Sequence, residues 1–132
     1  MFLGLDLGTG SLKALIVDGS GEVRARASVP YAVHHPQPGW AESDPHDWEA
    51  AAVRATQALP ADLRVQVEAV GFSGQMHGVV LTDAALTPLR PAVLWLDARS
   101  AGLLGEFSRV AGTERSPLAA GMAEPAFFFR RR

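Results

Sequence analysis

Hydrophobic and polar residues alternate from the first positions of the chain. Leu3, Leu5 and Leu7 fall on one face and Phe2, Gly4 and Asp6 on the other, which predicts a β-strand from Phe2 with Asp6 at its end. Gly8-Thr9-Gly10-Ser11 breaks the alternation as a turn, and Leu12 to Asp18, apolar apart from Lys13, reads as a strand returning antiparallel to the first. After a second turn at Asp18-Gly19-Ser20-Gly21, Val23, Ala25, Ala27 and Val29 alternate with Glu22, Arg24, Arg26 and Ser28, so the third strand has one wet face. His34 to Pro45, with Pro36, Pro38, Gly39 and Trp40, predicts a long irregular loop that runs into a helix capped by Asp44, with Pro45 as its first residue. That helix extends to about Leu59, places Trp48, Ala51, Ala52, Ala55 and Leu59 on one stripe, and stops at Pro60. Val65 to Ser73 and Val79 to Asp83 read as strands flanking a tight polar loop at Gly74 to Gly78, and Ala92 to Leu96 as a further short strand. Asp97 caps a last expected helix to about Val110, with Leu103, Leu104 and Phe107 as its apolar stripe.

Strands first, then helix and strands, give an α/β domain with a mixed sheet, antiparallel hairpins leading and helices flanking. At 132 residues the chain holds one domain, expected over residues 1–110, and no repeat of 20 to 50 residues interrupts it. Residues 111–132 are expected to be an irregular or frayed end, because the closing run EPAFFFRRR fits neither a strand nor a helix period. The composition, 48% hydrophobic and 20% charged, is that of a globular protein, and 12 Lys plus Arg against 14 Asp plus Glu leave a net charge of −2. A basic excess is thus lacking, and nucleic acid is not an expected partner. No stretch reaches the roughly 18 apolar residues of a membrane span, and the first residues have neither a basic segment nor a cleavage site, so a soluble cytoplasmic protein is expected, with no membrane partner. The chain has 0 cysteines, which leaves chemistry to oxygen and nitrogen groups.

Three segments bring such groups together. In the first, Asp6 ends a strand, Gly8, Thr9, Gly10 and Ser11 form a turn, and Lys13 stands on the next strand. Glycines that curl backbone N–H groups inward, two hydroxyls and an ammonium suit a phosphate, and the Asp6 carboxylate suits a metal-bound water. The segment has neither the GxxxxGK[ST] of a P-loop nor the third glycine of a dinucleotide fingerprint, and a plain glycine-rich hairpin turn explains it equally well. In the second, Gln75, Met76 and His77 stand between Gly74 and Gly78, where amide and imidazole can line a pocket for a polyhydroxylated ligand. The alternative is a turn whose histidine satisfies a backbone carbonyl. In the third, Trp95 precedes Asp97 and Arg99, an aromatic face for sugar C–H groups beside an acid and a base, or else a core Trp, a helix cap and a surface Arg. The four histidines give no ligand set, since His34 and His35 point apart, and Ser73 lacks the G-x-S-x-G elbow of a hydrolase.

Taken in order, GLDLGTGSLKALIVD, PGWAESDPHDW, GFSGQMHGVVLTD and LRPAVLWLDARS resemble the FGGY family of carbohydrate kinases, most closely its xylulokinase branch, over about Phe2 to Ser100. The resemblance implies an actin-like, ribonuclease-H-like α/β domain and transfer of the ATP γ-phosphoryl group to a ketopentose, D-xylulose becoming D-xylulose 5-phosphate. It implies ATP and Mg²⁺ as cofactors, Asp6 serving the metal and its phosphates, and Gly8, Thr9, Gly10, Ser11 and Lys13 along those phosphates. Gln75, Met76 and His77 would face the sugar, with Trp95, Asp97 and Arg99 flanking it. The Met-His pair favours a ketopentose over glycerol, whose kinases carry Arg-Glu at this place. Leu96 departs from the family's more usual Asn, which removes a hydrogen bond near the pocket or changes packing.

Family members are much longer, with a second domain that binds adenosine and supplies an aspartate general base. The expectation is therefore a truncated N-terminal part, with little or no activity alone. Other readings are a non-catalytic module that binds sugar or phosphate, a partner to a separately encoded second half, a remnant that self-associates through an exposed apolar face, or a kinase for ribulose, gluconate or glycerol.

Overall fold

The computed structural model describes residues 1–111. In chain order the elements of the first unit are β1 (Phe2–Leu7), β2 (Ser11–Val17), β3 (Val23–Pro30), β4 (Glu42–Ser43), α1 (Pro45–Ala58), α2 (Ala61–Arg64), β5 (Ala69–Gly74) and β6 (Ala92–Val93). β1, β2 and β3 form an antiparallel meander, and β5 joins β1 in parallel, so the sheet order is β3-β2-β1-β5. β4 and β6 pair antiparallel in a small second sheet. Two compact units divide at Asp97 and Ala98; the second contains a 3₁₀ turn, Ala101–Leu103, and α3 (Leu104–Ala111). The first unit ends at Asp97, and the EPAFFFRRR end lies outside the described residues.

Alternation in the sequence sets the register. Leu3, Leu5 and Leu7 stand opposite Ile16, Ala14 and Leu12, which in turn stand opposite Ala25, Ala27 and Val29. These rows make one apolar face, because a strand turns every second side chain the same way. α1 packs across β2 and β3 on that face, burying Ala51, Ala55 and the following Leu59. Alanines let the helix approach closely, and Ile16 beneath it is fully buried, a residue whose burial contributes about 1.5–3 kcal/mol. Asp44 starts the helix as expected, its carboxylate accepting from the His46 N–H at 2.9 Å, with Pro45 following.

The opposite face carries Gly4, Asp6, Lys13, Leu15 and Arg26, with Asp6 opposite Lys13 and Leu15 opposite Arg26. β5 is exposed along its whole length, Phe72 at 80%.

Several expected elements differ. Val65 to Glu68 is not strand: Pro60 opens α2, and the Val65 N–H bonds back to Ala61 O, so the strand begins only at Ala69. Val79 to Asp83 makes isolated bridges instead of a strand, Val79 to Val93 and Thr82 to Pro88, because Asp83 accepts from the Ala85 and Thr87 N–H groups and turns the chain. The Ala92–Leu96 strand shrinks to Ala92–Val93, since the Asp97 N–H folds back to Leu94 O. Asp97 does not cap the last helix, which starts at Leu104; its carboxylate accepts from the Ala41 N–H at 2.6 Å instead. The irregular loop before α1 contains β4, held by the His34–Glu42 bridge.

Candidate functional site

β1 and β5 are parallel, so their carboxyl ends reach one edge of the sheet, the edge where open α/β sheets bind ligands. Asp6 stands there on β1, partly buried, opposite Lys13 on β2 and Ser73 on β5. The turn from Gly8 to Ser11 follows directly. It closes by a 3.0 Å bond from the Gly8 N–H to Ser11 O, so tight that a Cβ on Gly8 would lie 3.1 Å from that oxygen.

The second segment leaves the same edge. The Gln75 N–H donates to Leu7 O at 2.7 Å, which starts the Gln75–Gly78 loop beside the end of β1. The loop ends where Val79 exchanges two backbone bonds with Val93, two residues before Trp95. Gly78 permits that closure, since a Cβ there would lie 3.3 Å from Val93 O. Within the loop His77 is held at φ 64°, a left-handed conformation that costs a non-glycine residue roughly 1–2 kcal/mol. Both polar atoms of the Gln75 amide are buried without a hydrogen-bond partner, a demand of about 1–3 kcal/mol. The loop thus combines backbone strain at His77 with unmet polarity at Gln75.

The third segment is fixed by one residue, Ala41. Leu94 N–H donates to Ala41 O at 3.0 Å, while Asp97 Oδ2 takes the Ala41 N–H, so Trp95 and Leu96 are bracketed. The buried Glu42 beside Ala41 pairs with Arg90 at 2.6 Å, locking the loop before α1 to the chain leading into Trp95. Trp95, half-exposed, then reaches the turn: its Nε1–H donates to Thr9 Oγ1 at 3.0 Å. Asp97 thus serves the backbone with one oxygen, and Arg99 belongs to the second unit. Leu96 lines an open groove of about 490 Å³ with His35, Gln37 and Trp40.

The structure therefore brings Asp6, Gly8 to Ser11, Lys13, Gln75 to His77 and Trp95 to one edge. Sequence reading misses Tyr31, whose hydroxyl donates to Gly8 O and whose N–H donates to Gly10 O at 3.1 Å. Its only signal is position, one residue beyond the Pro30 that pairs with Ser11. Burial, and then the charge of Asp6, push the Tyr31 phenol above its usual range. Among the described residues no group of three or more His, Asp or Glu could by itself hold a metal. No helix among the described residues is long and apolar enough to cross a membrane.

A mixed sheet with this edge constellation defines the class: an α/β domain of the actin-like ATPase fold, of the kind found in sugar kinases. Residues 1–122 match the N-terminal domain of the FGGY family of carbohydrate kinases, and the chain belongs to that family. It is 44% identical over 102 residues to the xylulose kinase of Escherichia coli (strain K12), covering 76% of this chain and 21% of that protein. A glycerol kinase from Dechloromonas aromatica is 37% identical over 110 residues, covering 80% of this chain and 22% of that protein. The crystal structure of a xyloylose kinase from Brucella ovis superposes with a TM-score of 0.79 at 39% identity, covering 86% of this chain and 24% of that one. The chain spans about a fifth of the length of the curated relatives it matches.

Proposed function

We propose that this chain supplies the sugar-facing and phosphate-facing wall of an ATP-dependent kinase that phosphorylates D-xylulose to D-xylulose 5-phosphate in the cytoplasm. The observation that carries this reading is the bond from Trp95 to Thr9, which joins the sugar-flanking segment to the phosphate turn at one sheet edge. Backbone N–H groups of the turn, the Thr9 and Ser11 hydroxyls and the Lys13 ammonium offer donors and charge to the phosphates of ATP. Asp6, a single partly buried carboxylate, suits a Mg²⁺ that keeps most of its water and phosphate ligands, and the ion would neutralise charge on the transferred group. Gln75, Met76 and His77 bind and orient the sugar, with the Trp95 ring against its C–H face and Asp97 at the rim. D-xylulose is favoured because the Met-His pair occupies the loop and the xylulose kinases are among the relatives at 44% identity.

Phosphoryl transfer needs the acceptor hydroxyl, the γ-phosphate and a base in line within a closed cleft. By the family resemblance the base and the adenosine pocket would come from outside these 132 residues, in the same polypeptide or a separately encoded one, and the 132 residues alone are expected not to turn over. A ¹H–¹⁵N NMR titration with D-xylulose and then Mg–ATP tests the reading. D-xylulose is expected to shift Gln75 to Gly78, and Mg–ATP to shift Gly8 to Lys13. Dispersed spectra indifferent to both ligands would overturn it, and shifts with glycerol but not D-xylulose would move the substrate within the family.

A further inference from the structure

The turn from Gly8 to Ser11 is held only in part by its own backbone. The Gly8 N–H closes on Ser11 O, but the two glycine carbonyls are taken by a residue distant in the chain. Tyr31 lies just past β3, and its two donors reach Gly8 O from the ring and Gly10 O from the backbone. A planar trans peptide carries its C=O and its N–H on opposite sides. Fixing the Gly8 carbonyl toward Tyr31 therefore turns the Thr9 N–H the other way, and fixing the Gly10 carbonyl does the same for Ser11. Glycine at 8 and 10 would otherwise leave these planes free to rotate, because glycine restricts its backbone least of all residues.

We propose that Tyr31 is a positioning residue that aims the Thr9 and Ser11 N–H groups of the turn at the phosphates of ATP. This rests on the phosphate reading of the turn given above. The Tyr31 ring also packs against the core beneath α1, so the same side chain ties the turn to the rigid part of the sheet. An oriented N–H in a fixed plane costs no reorganisation when an anion arrives.

Tyr31→Phe removes the hydroxyl and keeps the ring, and Tyr31→Leu removes both. In the 132-residue chain, the Thr9 amide of Tyr31→Phe is expected to shift and to exchange with solvent several-fold faster than wild type. Its Mg–ATP affinity, read from the Gly8 to Lys13 resonances, is expected to fall about tenfold, with thermal midpoint and D-xylulose response at Gln75 to Gly78 unchanged. If Tyr31 only packs, Tyr31→Phe matches wild type in all of these and only Tyr31→Leu is impaired, which overturns the positioning role. A wild-type chain that ignores Mg–ATP overturns the phosphate reading and this role with it. A wild type that responds while Tyr31→Phe responds identically overturns this role alone.

Discussion

His77 is where local cost and proposed use meet. Its left-handed backbone is maintained because both ends of its loop are bonded, at Leu7 and at Val93. Asn tolerates that region better than most residues. His77→Asn is therefore expected to leave the thermal midpoint within about 2 °C while weakening the D-xylulose response of the loop at least fivefold; equal response would remove His77 from the sugar contacts. Asp18 shows a residue whose role is turn closure. Its carboxylate accepts from the Ser20 hydroxyl and from the Ser20 and Glu22 N–H groups, and pairs with Arg24 at 3.3 Å. The Ser20 hydroxyl, aided by these other donors, lowers its pKa from 3.8 to about 2. A depressed carboxylate stabilises the fold above its unfolded value, and that support is lost as pH falls through the folded one. The gap in thermal midpoint between wild type and Asp18→Ala should thus be full at pH 6 and shrink as pH falls from 3.8 toward 2.

At the scale of elements, α1 covers the buried face of β2 and β3 and starts where Asp44 puts it. Asp44→Ala removes the acceptor for the His46 N–H and should destabilise the first unit by about 1 kcal/mol, a drop of roughly 4–8 °C in thermal midpoint followed by circular dichroism. An unchanged midpoint would mean that the helix start is held by packing alone. Caps and strand alternation were legible because each is written in neighbouring residues. The late start of the Val65–Ser73 strand, at Ala69, and the loss of the Val79–Asp83 strand were not, because an apolar run does not report what pairs with it. Val65 is 83% exposed, and its run continues from a helical turn opened by Pro60; Val79 finds only a bridge to Val93.

Over the whole molecule, one sheet face lies under α1 and β5 remains exposed, with Val70 and Phe72 on it. Exposed apolar residues on a strand with open backbone groups invite pairing with another chain. The 132-residue chain is expected to show a concentration-dependent size by light scattering, reduced in Phe72→Ser; a strict monomer at all concentrations would contradict this. The amino-acid order alone settled the leading hairpins, the capped helix with its alanine stripe, and the four segments that mark the FGGY family, since each depends on residues close in the chain. Only the tertiary structure decided that Asp97 serves Ala41 in place of a helix, that Trp95 reaches Thr9, and that Tyr31 grips the turn at Gly8. Those contacts span tens of residues, and no local period encodes a partner that distant; the path of the backbone between them does.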